Sequence, residues 1–157
     1  MTDAADKHAV MHGMFKIERK YPFSPERVFA GFADPQIKQR WFLEGDGWDI
    51  FEYRADFQIG GNEASRFRFN HGPDITNDTQ YQDIVPDRRL VYSYRMTIAG
   101  EPISVSLVTV ELLPDGAGTL MTYTEQGSYF GNSDCVTGRE HGTRELLDKL
   151  ERYLPGS

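Results

Sequence analysis

The chain has 157 residues, of which 39% are hydrophobic and 13% aromatic, so we expect one domain with a packed apolar core. Its formal net charge of −7, with dispersed lysines and arginines, disfavours binding to nucleic acids or to anionic membranes. No apolar run reaches the ~20 residues of a membrane-spanning helix, and a single cysteine, Cys135, excludes an internal disulfide, so we expect a cytoplasmic protein.

The chain begins with a polar segment and a strand. Residues 1–12 carry no apolar pattern and are interpreted as a disordered lead-in to a single domain over residues 13–155. Phe15 and Ile17 then alternate with charged residues. This alternation is typical of a half-buried strand, predicted over Met14–Tyr21.

Two short helices are predicted after this strand. Ser24 is a suitable N-cap and Pro25 fits the first helical position, so a helix is expected to begin there. Pro35 begins a second helix of the same kind, which ends at the aromatic pair Trp41 and Phe42. We expect the two helices to grip the sheet from one end.

Six further strands are predicted in an unbroken run, separated by turn-forming Gly, Pro, Asn and Asp residues. Strands joined by such short turns pair with their neighbours in an antiparallel meander. The predicted strands are Trp48–Phe57, Arg66–Asn70, Asp78–Val85, Arg89–Ile98, Ile103–Leu113 and Thr119–Gly127.

The last predicted element is a long amphipathic helix over residues 134–154. At about 100° per residue its buried stripe centres on Thr143, and Arg139 is the one basic residue on that stripe. His141 falls nearly opposite, toward solvent or a partner. Four apolar residues of the stripe are expected to be largely buried: Leu146, Leu147, Leu150 and Leu154.

This helix is the only long one available to cover the sheet, and one helix cannot fill all the space beneath a curved sheet. The C-terminal half of its buried stripe is apolar, whereas the N-terminal half carries Arg139, Glu140 and the small Thr143. We therefore expect tight packing at one end of the helix and a cavity at the other. The function should be sought in that cavity.

Two glycines lie four residues apart on the final helix. Gly138 and Gly142 are about 40° from each other on the helical wheel and are placed on the outer side. Each glycine weakens a helix by roughly 1 kcal/mol relative to alanine, so a compensating contact is expected. That contact is either a second copy of the chain, which would make a homodimer, or a loop of the same chain.

Several segments are familiar as a set: FKIERKYPFSPERVFAGFADPQIKQRWF, DFQIGG, YQDIVPDRRLVYSY, ISVSLVTVELLPDGAGTLMTYTEQG and REHGTRELLDKLERYL. In this order they resemble the helix-grip superfamily of START domains, polyketide cyclases and birch-pollen-allergen-like proteins. Within it, residues 14–154 look like the branch named for the C-terminal domain of the heat-shock-protein-90 ATPase activator. The resemblance implies an α+β fold in which a curved antiparallel sheet of six to seven strands surrounds one long C-terminal helix, with two short helices after the first strand.

One position departs from this family. In many members an aromatic residue, commonly Trp, follows the glycine of the closing helix and plugs the cavity. Here that position is Thr143. A smaller residue would leave more unfilled volume, unless Trp41, Tyr94 or Tyr123 occupies it.

The cavity is expected to be apolar with a few polar groups, which is the composition that ligand sites favour. Glu125 shares a strand face with Met121 and Tyr123, so its carboxylate should point inward. It could bind a cationic or hydroxyl-bearing ligand or act as a general base, or it could pair with Arg139 or a tyrosine. The expected ligand-binding residues are Trp41, Tyr81, Tyr94, Met121, Tyr123, Glu125, Arg139 and Thr143.

Three functions are compatible with these residues. The leading hypothesis is non-catalytic or weakly catalytic binding of a small, largely apolar or amphipathic molecule. The enzyme alternative is a cyclase or hydrolase of polyketide-like compounds, with Glu125 or Asp83 as base and a tyrosine orienting the substrate. The third, a chaperone-associated partner module, is implied by the family name. No metal or cofactor is expected, and Cys135 and His141 lack the neighbours that a catalytic triad needs.

Overall fold

A computed structural model describes residue 6, residues 8–131 and residues 136–154, which form a seven-stranded antiparallel sheet and three helices. The strands are β1 (Val10–Tyr21), β2 (Trp48–Ala55), β3 (Asn62–Phe69), β4 (Ile75–Val85), β5 (Arg89–Ile98), β6 (Glu101–Asp115) and β7 (Gly118–Phe130). The helices are α1 (Pro25–Ala33), α2 (Pro35–Phe42) and α3 (Val136–Tyr153). Among these described residues, no helix is long and apolar enough to cross a membrane.

The strand order in the sheet is β1-β7-β6-β5-β4-β3-β2. Every strand from β2 to β7 pairs with its neighbour in sequence, whereas β1 lies at the far edge and pairs with β7. The predicted helix-grip fold is confirmed: the curved sheet carries α3 on its inner face, and α1 and α2 follow the first strand. Because α2 contacts α3, the helix pair holds the final helix against one end of the sheet.

The two short helices begin where the sequence predicts. The Ser24 hydroxyl accepts a hydrogen bond from the backbone N–H of Arg27 and caps α1. Asp34 ends α1 by donating its backbone N–H to Ala30, and its carboxylate caps α2 by accepting from the N–H of Gln36 at 2.9 Å. One residue therefore separates the two helices and satisfies a terminus of each.

The helical phase predicted for α3 is confirmed. Leu147, Leu150 and Leu154 are buried, and His141 is exposed. Gly31 of α1 faces this apolar end, where an added Cβ would lie 2.6 Å from Leu150. A side chain at this position would require the ends of Leu150 and Leu154 to shift.

Leu146 is less buried than predicted. It is only half-buried, since it borders the open end of the space beneath α3 rather than the apolar end. Leu146 therefore borders the pocket, whereas Leu147 and Leu150 on the same face of α3 are enclosed in the core.

Several strands begin earlier than predicted, and the difference is largest, at four residues, for β1 and β3. β1 starts at Val10, so residues 10–12 of the expected lead-in pair with β7. β3 starts at Asn62, although Asn62, Glu63 and Ser65 have little of the β-branched or aromatic character of strands. In both cases backbone pairing with a neighbouring strand extends the element beyond its apolar pattern.

Replacing Leu150 with alanine should destabilise the fold, because Leu150 is fully buried between α1 and the sheet. We expect the free energy of unfolding to fall by about 2–5 kcal/mol, as for other buried leucines. Urea denaturation followed by circular dichroism measures the change. The control is Leu113→Ala at a half-exposed leucine of β6, and equal losses in the two variants would contradict this assignment of the core.

Candidate ligand-binding pocket

A pocket of about 480 Å³ lies between the inner face of the sheet and α3. α2 and the start of β2 close one side, and β3, β4, β5 and β7 form the floor. The volume falls in the range of pockets that hold small organic ligands. Apolar side chains make much of the wall: Phe42, Leu43, Trp48, Phe67, Met96 and Leu146.

Half of the eight predicted ligand-binding residues line this pocket. Tyr94 of β5 and Tyr123 of β7 contribute to the floor, and Arg139 and Thr143 of α3 contribute to the roof. Thr143 is buried, and its hydroxyl donates a hydrogen bond to the backbone carbonyl of Arg139 at 2.9 Å. Position 143, where the family resemblance implies an aromatic residue, therefore lines the open space.

The other four predicted residues, Trp41, Tyr81, Met121 and Glu125, are buried but lie behind the pocket lining. Trp41 points toward α1, where its Nε1 donates to the backbone carbonyl of Gly31 at 2.8 Å. Met121 is enclosed in the core. The inward faces predicted for Met121 and Glu125 are correct, but how far each side chain lies from the open end of α3 depends on the helix packing.

Glu125 is fully buried at the centre of a polar network. Its carboxylate accepts hydrogen bonds from the hydroxyls of Tyr94 at 2.7 Å, Tyr123 at 3.0 Å and Tyr129 at 3.4 Å. Nη1 of Arg139 lies 3.6 Å from the same carboxylate. The predicted partners of Glu125 are confirmed, and they surround the carboxylate so that it does not reach the pocket.

Arg139 joins this network to a third strand, β6. It donates to the Tyr94 hydroxyl at 2.8 Å and to the Ser104 hydroxyl of β6 at 2.9 Å. Its guanidinium also lies over the ring of Tyr129, 5.2 Å from the centroid. The open end of α3 is therefore attached to β5, β6 and β7 by polar contacts.

The tyrosines of the pocket floor are neutral hydrogen-bond donors. Burial raises the pKa of Tyr94 well above its ordinary value of 10, and the nearby Glu125 carboxylate raises it further. Burial likewise raises the pKa of Tyr123 well above its ordinary value, with added contributions from Tyr92 and Glu125. In both residues the charged phenolate is disfavoured, so the hydroxyl keeps its proton and donates it.

Asp83, the other carboxylate considered as a base, also lies away from the pocket lining. A β-bulge shifts the register between Tyr81 and Asp83, so the two residues no longer share a face. Arg89 donates to the Asp83 carboxylate at 2.6 Å in a partly exposed ion pair. Of the two carboxylates proposed for catalysis, neither lines the pocket.

Sequence reasoning missed a second buried ion pair, between Lys38 of α2 and Glu63 of β3. Nζ of Lys38 lies 3.0 and 3.1 Å from the two oxygens of Glu63, which also accepts a hydrogen bond from Tyr81. The side chains of Lys38 and Glu63 are only 4% and 2% exposed, yet Lys38 lines the pocket. The one available signal was that Lys38 precedes Phe42 by one helical turn and so shares its inward face.

The two glycines of α3 border the rim of the pocket. Gly138 is exposed and Gly142 is half-buried, in keeping with their placement away from the buried stripe, and both line the edge of the space beneath the helix. A Cβ added to Gly142 would meet no atom within 4 Å. The flank of α3 between its buried stripe and its outer side faces the pocket rim, where the sheet curves away from the helix.

The opposite face of the sheet carries a broader and shallower depression between β1, β6 and β7. Its lining includes Met14, Leu107 and Gln126, and no predicted site residue. Within residues 8–131 and 136–154, no group of three or more His, Cys, Asp or Glu side chains could hold a metal ion. Cys135 lies outside the described residues.

Comparison with protein families gives one match. The family described as activator of Hsp90 ATPase homolog 1-like protein matches the chain over residues 22–155, which include every helix and strand except β1. No curated protein matches the chain in sequence. The family of the chain is therefore assigned from this match.

Several solved structures are similar to the chain. The Mll3558 protein from Rhizobium loti is 53% identical with a TM-score of 0.87, covering 94% of this chain and 100% of its own. An uncharacterized protein from Rhizobium leguminosarum is 34% identical with a TM-score of 0.88, covering 93% of this chain and 96% of its own. An AHSA1-like protein from Aeromonas hydrophila, at 18% identity and a TM-score of 0.69, covers 90% of this chain and 91% of its own and shows the fold alone.

Replacing Glu125 with glutamine should destabilise the protein by about 3 kcal/mol. The Glu125 carboxylate accepts three hydroxyl hydrogen bonds and lies beside Arg139 in a place that water does not reach. The change removes its negative charge and leaves the Arg139 guanidinium without a counter-charge there. Urea denaturation measures the loss. Glu52→Gln, at an exposed ion pair with Arg54, should change stability by less than about 0.5 kcal/mol, and a similarly small effect at Glu125 would contradict the network.

The buried tyrosines should make the fold sensitive to alkali. Because burial raises the pKa of Tyr94 and Tyr123 above 10, the folded state holds more protons than the unfolded state above that pH. Their contribution is complete below pH 10, and stability should fall above it by about 1.4 kcal/mol per pH unit for each such tyrosine.

Tyrosinate absorbance near 295 nm, recorded together with far-ultraviolet circular dichroism, measures this alkaline transition. We expect Tyr94 and Tyr123 to ionise only as the fold is lost. Ionisation of all the tyrosines near pH 10 in a protein that keeps its secondary structure would contradict their burial.

Proposed function

We propose that this chain, which belongs to the family of activator of Hsp90 ATPase homolog 1-like proteins, binds a small, largely apolar molecule between its sheet and α3. The fold generally binds hydrophobic ligands, which supports the assignment to this class. Fold alone does not assign a function, so the argument depends on the pocket itself.

The observation that carries the proposal is the pocket of about 480 Å³ beneath Thr143. Its wall combines aromatic and aliphatic side chains with a few polar groups at defined positions, among them Tyr94, Tyr123 and Arg139. Such a wall removes the apolar body of a ligand from water, and the polar groups orient it.

The small residues of α3 favour entry to the pocket. Thr143 occupies less volume than the aromatic residue that many relatives carry at the equivalent position. Gly142, beside it, adds no side chain to the rim. Together they leave open the space that a larger side chain would fill.

Binding is favoured over catalysis because Glu125 and Asp83, the proposed bases, do not line the pocket. The glycines that suggested a homodimer border the pocket, so a homodimer remains a prediction without that argument. The chaperone-associated role and the cytoplasmic location also remain predictions.

The test is Thr143→Trp, which should fill the pocket and abolish binding of the neutral apolar dye Nile red. The family resemblance implies that the fold accepts an aromatic residue at this position. Fluorescence titration measures dye binding, and circular dichroism checks that the variant is folded. The matched control is His141→Trp, which adds the same side chain at an exposed position two residues away and should leave dye binding unchanged.

Unchanged dye binding in folded Thr143→Trp would show that the dye binds elsewhere and would refute the proposed site. Native mass spectrometry of the purified protein provides an independent measurement. A retained small molecule that is lost in Thr143→Trp but kept in His141→Trp is the expected result.

A further inference from the structure

Lys38 is an unusual residue to find in the wall of an apolar pocket. Lysine is almost never fully buried unless it is paired, and Lys38 is paired with Glu63. The lysine nevertheless lines the pocket, while Glu63 lies behind it. The ammonium group is therefore the part of this ion pair that a bound molecule would meet.

The contacts around Nζ of Lys38 place it at the wall of the pocket. An ammonium group has three N–H donors, and the two oxygens of Glu63 lie within hydrogen-bond distance on one side. On another side Nζ lies 4.7 Å from the ring centroid of Phe42 and 5.5 Å from that of Tyr92. Both rings line the pocket together with Lys38, so the ammonium lies at the pocket wall beside aromatic side chains that a ligand would contact.

Most of the charged side chains that line the pocket are positive. Lys38, Arg139 and Lys149 line it, against one carboxylate, Glu145, which is mostly exposed. The carboxylates that pair with Lys38 and Arg139 are held behind the lining. A ligand in the pocket would thus meet cationic groups and not their counter-charges.

Asn77 adds a neutral donor to the same pocket. Its Oδ1 accepts a hydrogen bond from Thr79 at 3.3 Å, which leaves the amide nitrogen as its donor. Thr79 is the register partner of Glu63 across β3 and β4, so Asn77 lies two residues along β4 from the Lys38 ion pair. Asn77 and Thr79 both line the pocket.

We propose that the ligand is an apolar monocarboxylate whose acid group is bound by Lys38. This inference rests on the proposed function and assigns its ligand class. The carboxylate accepts hydrogen bonds from the Lys38 ammonium, and the apolar body packs against the aromatic wall. Arg139 is a weaker candidate for this role, because its guanidinium already donates to Tyr94 and Ser104. A cationic ligand is disfavoured, because it would face like charges.

The experiment compares decanoate with decanamide, which has the same chain but no charge, as competitors of Nile red at pH 8. We expect decanoate to bind at least about tenfold more tightly, as for a hydrogen bond to a charged group. The test variant is Lys38→Met with Glu63→Gln, since removing the lysine alone would leave a buried carboxylate without its cation. It should bind decanoate and decanamide with equal affinity.

The matched control is Arg54→Met with Glu52→Gln, which makes the same kind of change at an exposed ion pair and should keep the preference. Equal affinities of wild-type protein for the two competitors would overturn the ligand class. A preference retained in folded Lys38→Met with Glu63→Gln would overturn the role of Lys38. Failure of wild-type protein to bind Nile red or either competitor would instead refute the proposed function, and the ligand class with it.

Discussion

The contact between Glu125 of β7 and Arg139 of α3 is the constraint on which the arrangement of the pocket depends. At the C-terminal end of α3, leucines bury enough apolar surface to hold the helix on the sheet. At the other end the helix face carries less apolar surface, since Val136 packs against the core but is only partly buried. The guanidinium and carboxylate, with the tyrosine hydroxyls around them, hold that end over the sheet at a distance that leaves space beneath it.

A polar attachment of this kind has a cost that apolar packing does not have. Two charges are removed from water, and their attraction offsets this only when the remaining donors and acceptors are also satisfied. Here Tyr94, Tyr123 and Tyr129 supply hydroxyl donors to Glu125. The pair of Lys38 and Glu63 repeats this design on the opposite side of the pocket and ties α2 to β3. The pocket thus lies between two buried ion pairs, each of which presents its cation inward.

The prediction from sequence was most accurate where local pattern alone decides structure. The caps at Ser24 and Asp34 depend on residues within three positions of each other, and both helices begin as expected. The buried phase of α3 follows from the spacing of its leucines. Only half of the predicted site residues line the pocket. The face of a strand determines that a side chain points inward, but it does not determine what lies above that side chain. Met121 and Tyr123 share a face of β7, yet only Tyr123 reaches the pocket.

The sequence by itself determined the order of elements, the antiparallel sheet, the inward direction of Glu125 and Arg139, and the small residue at position 143. These follow from periodicities of two and 3.6 residues and from turn and cap chemistry, which act over a few positions. Only the tertiary structure decided that Lys38 meets Glu63 and that Gly142 borders the pocket. Glu63 lies in a polar stretch that reads as a loop until β4 pairs with it. The side of α3 that faces the pocket rim depends on how far the sheet curves, and that curvature results from all seven strands together.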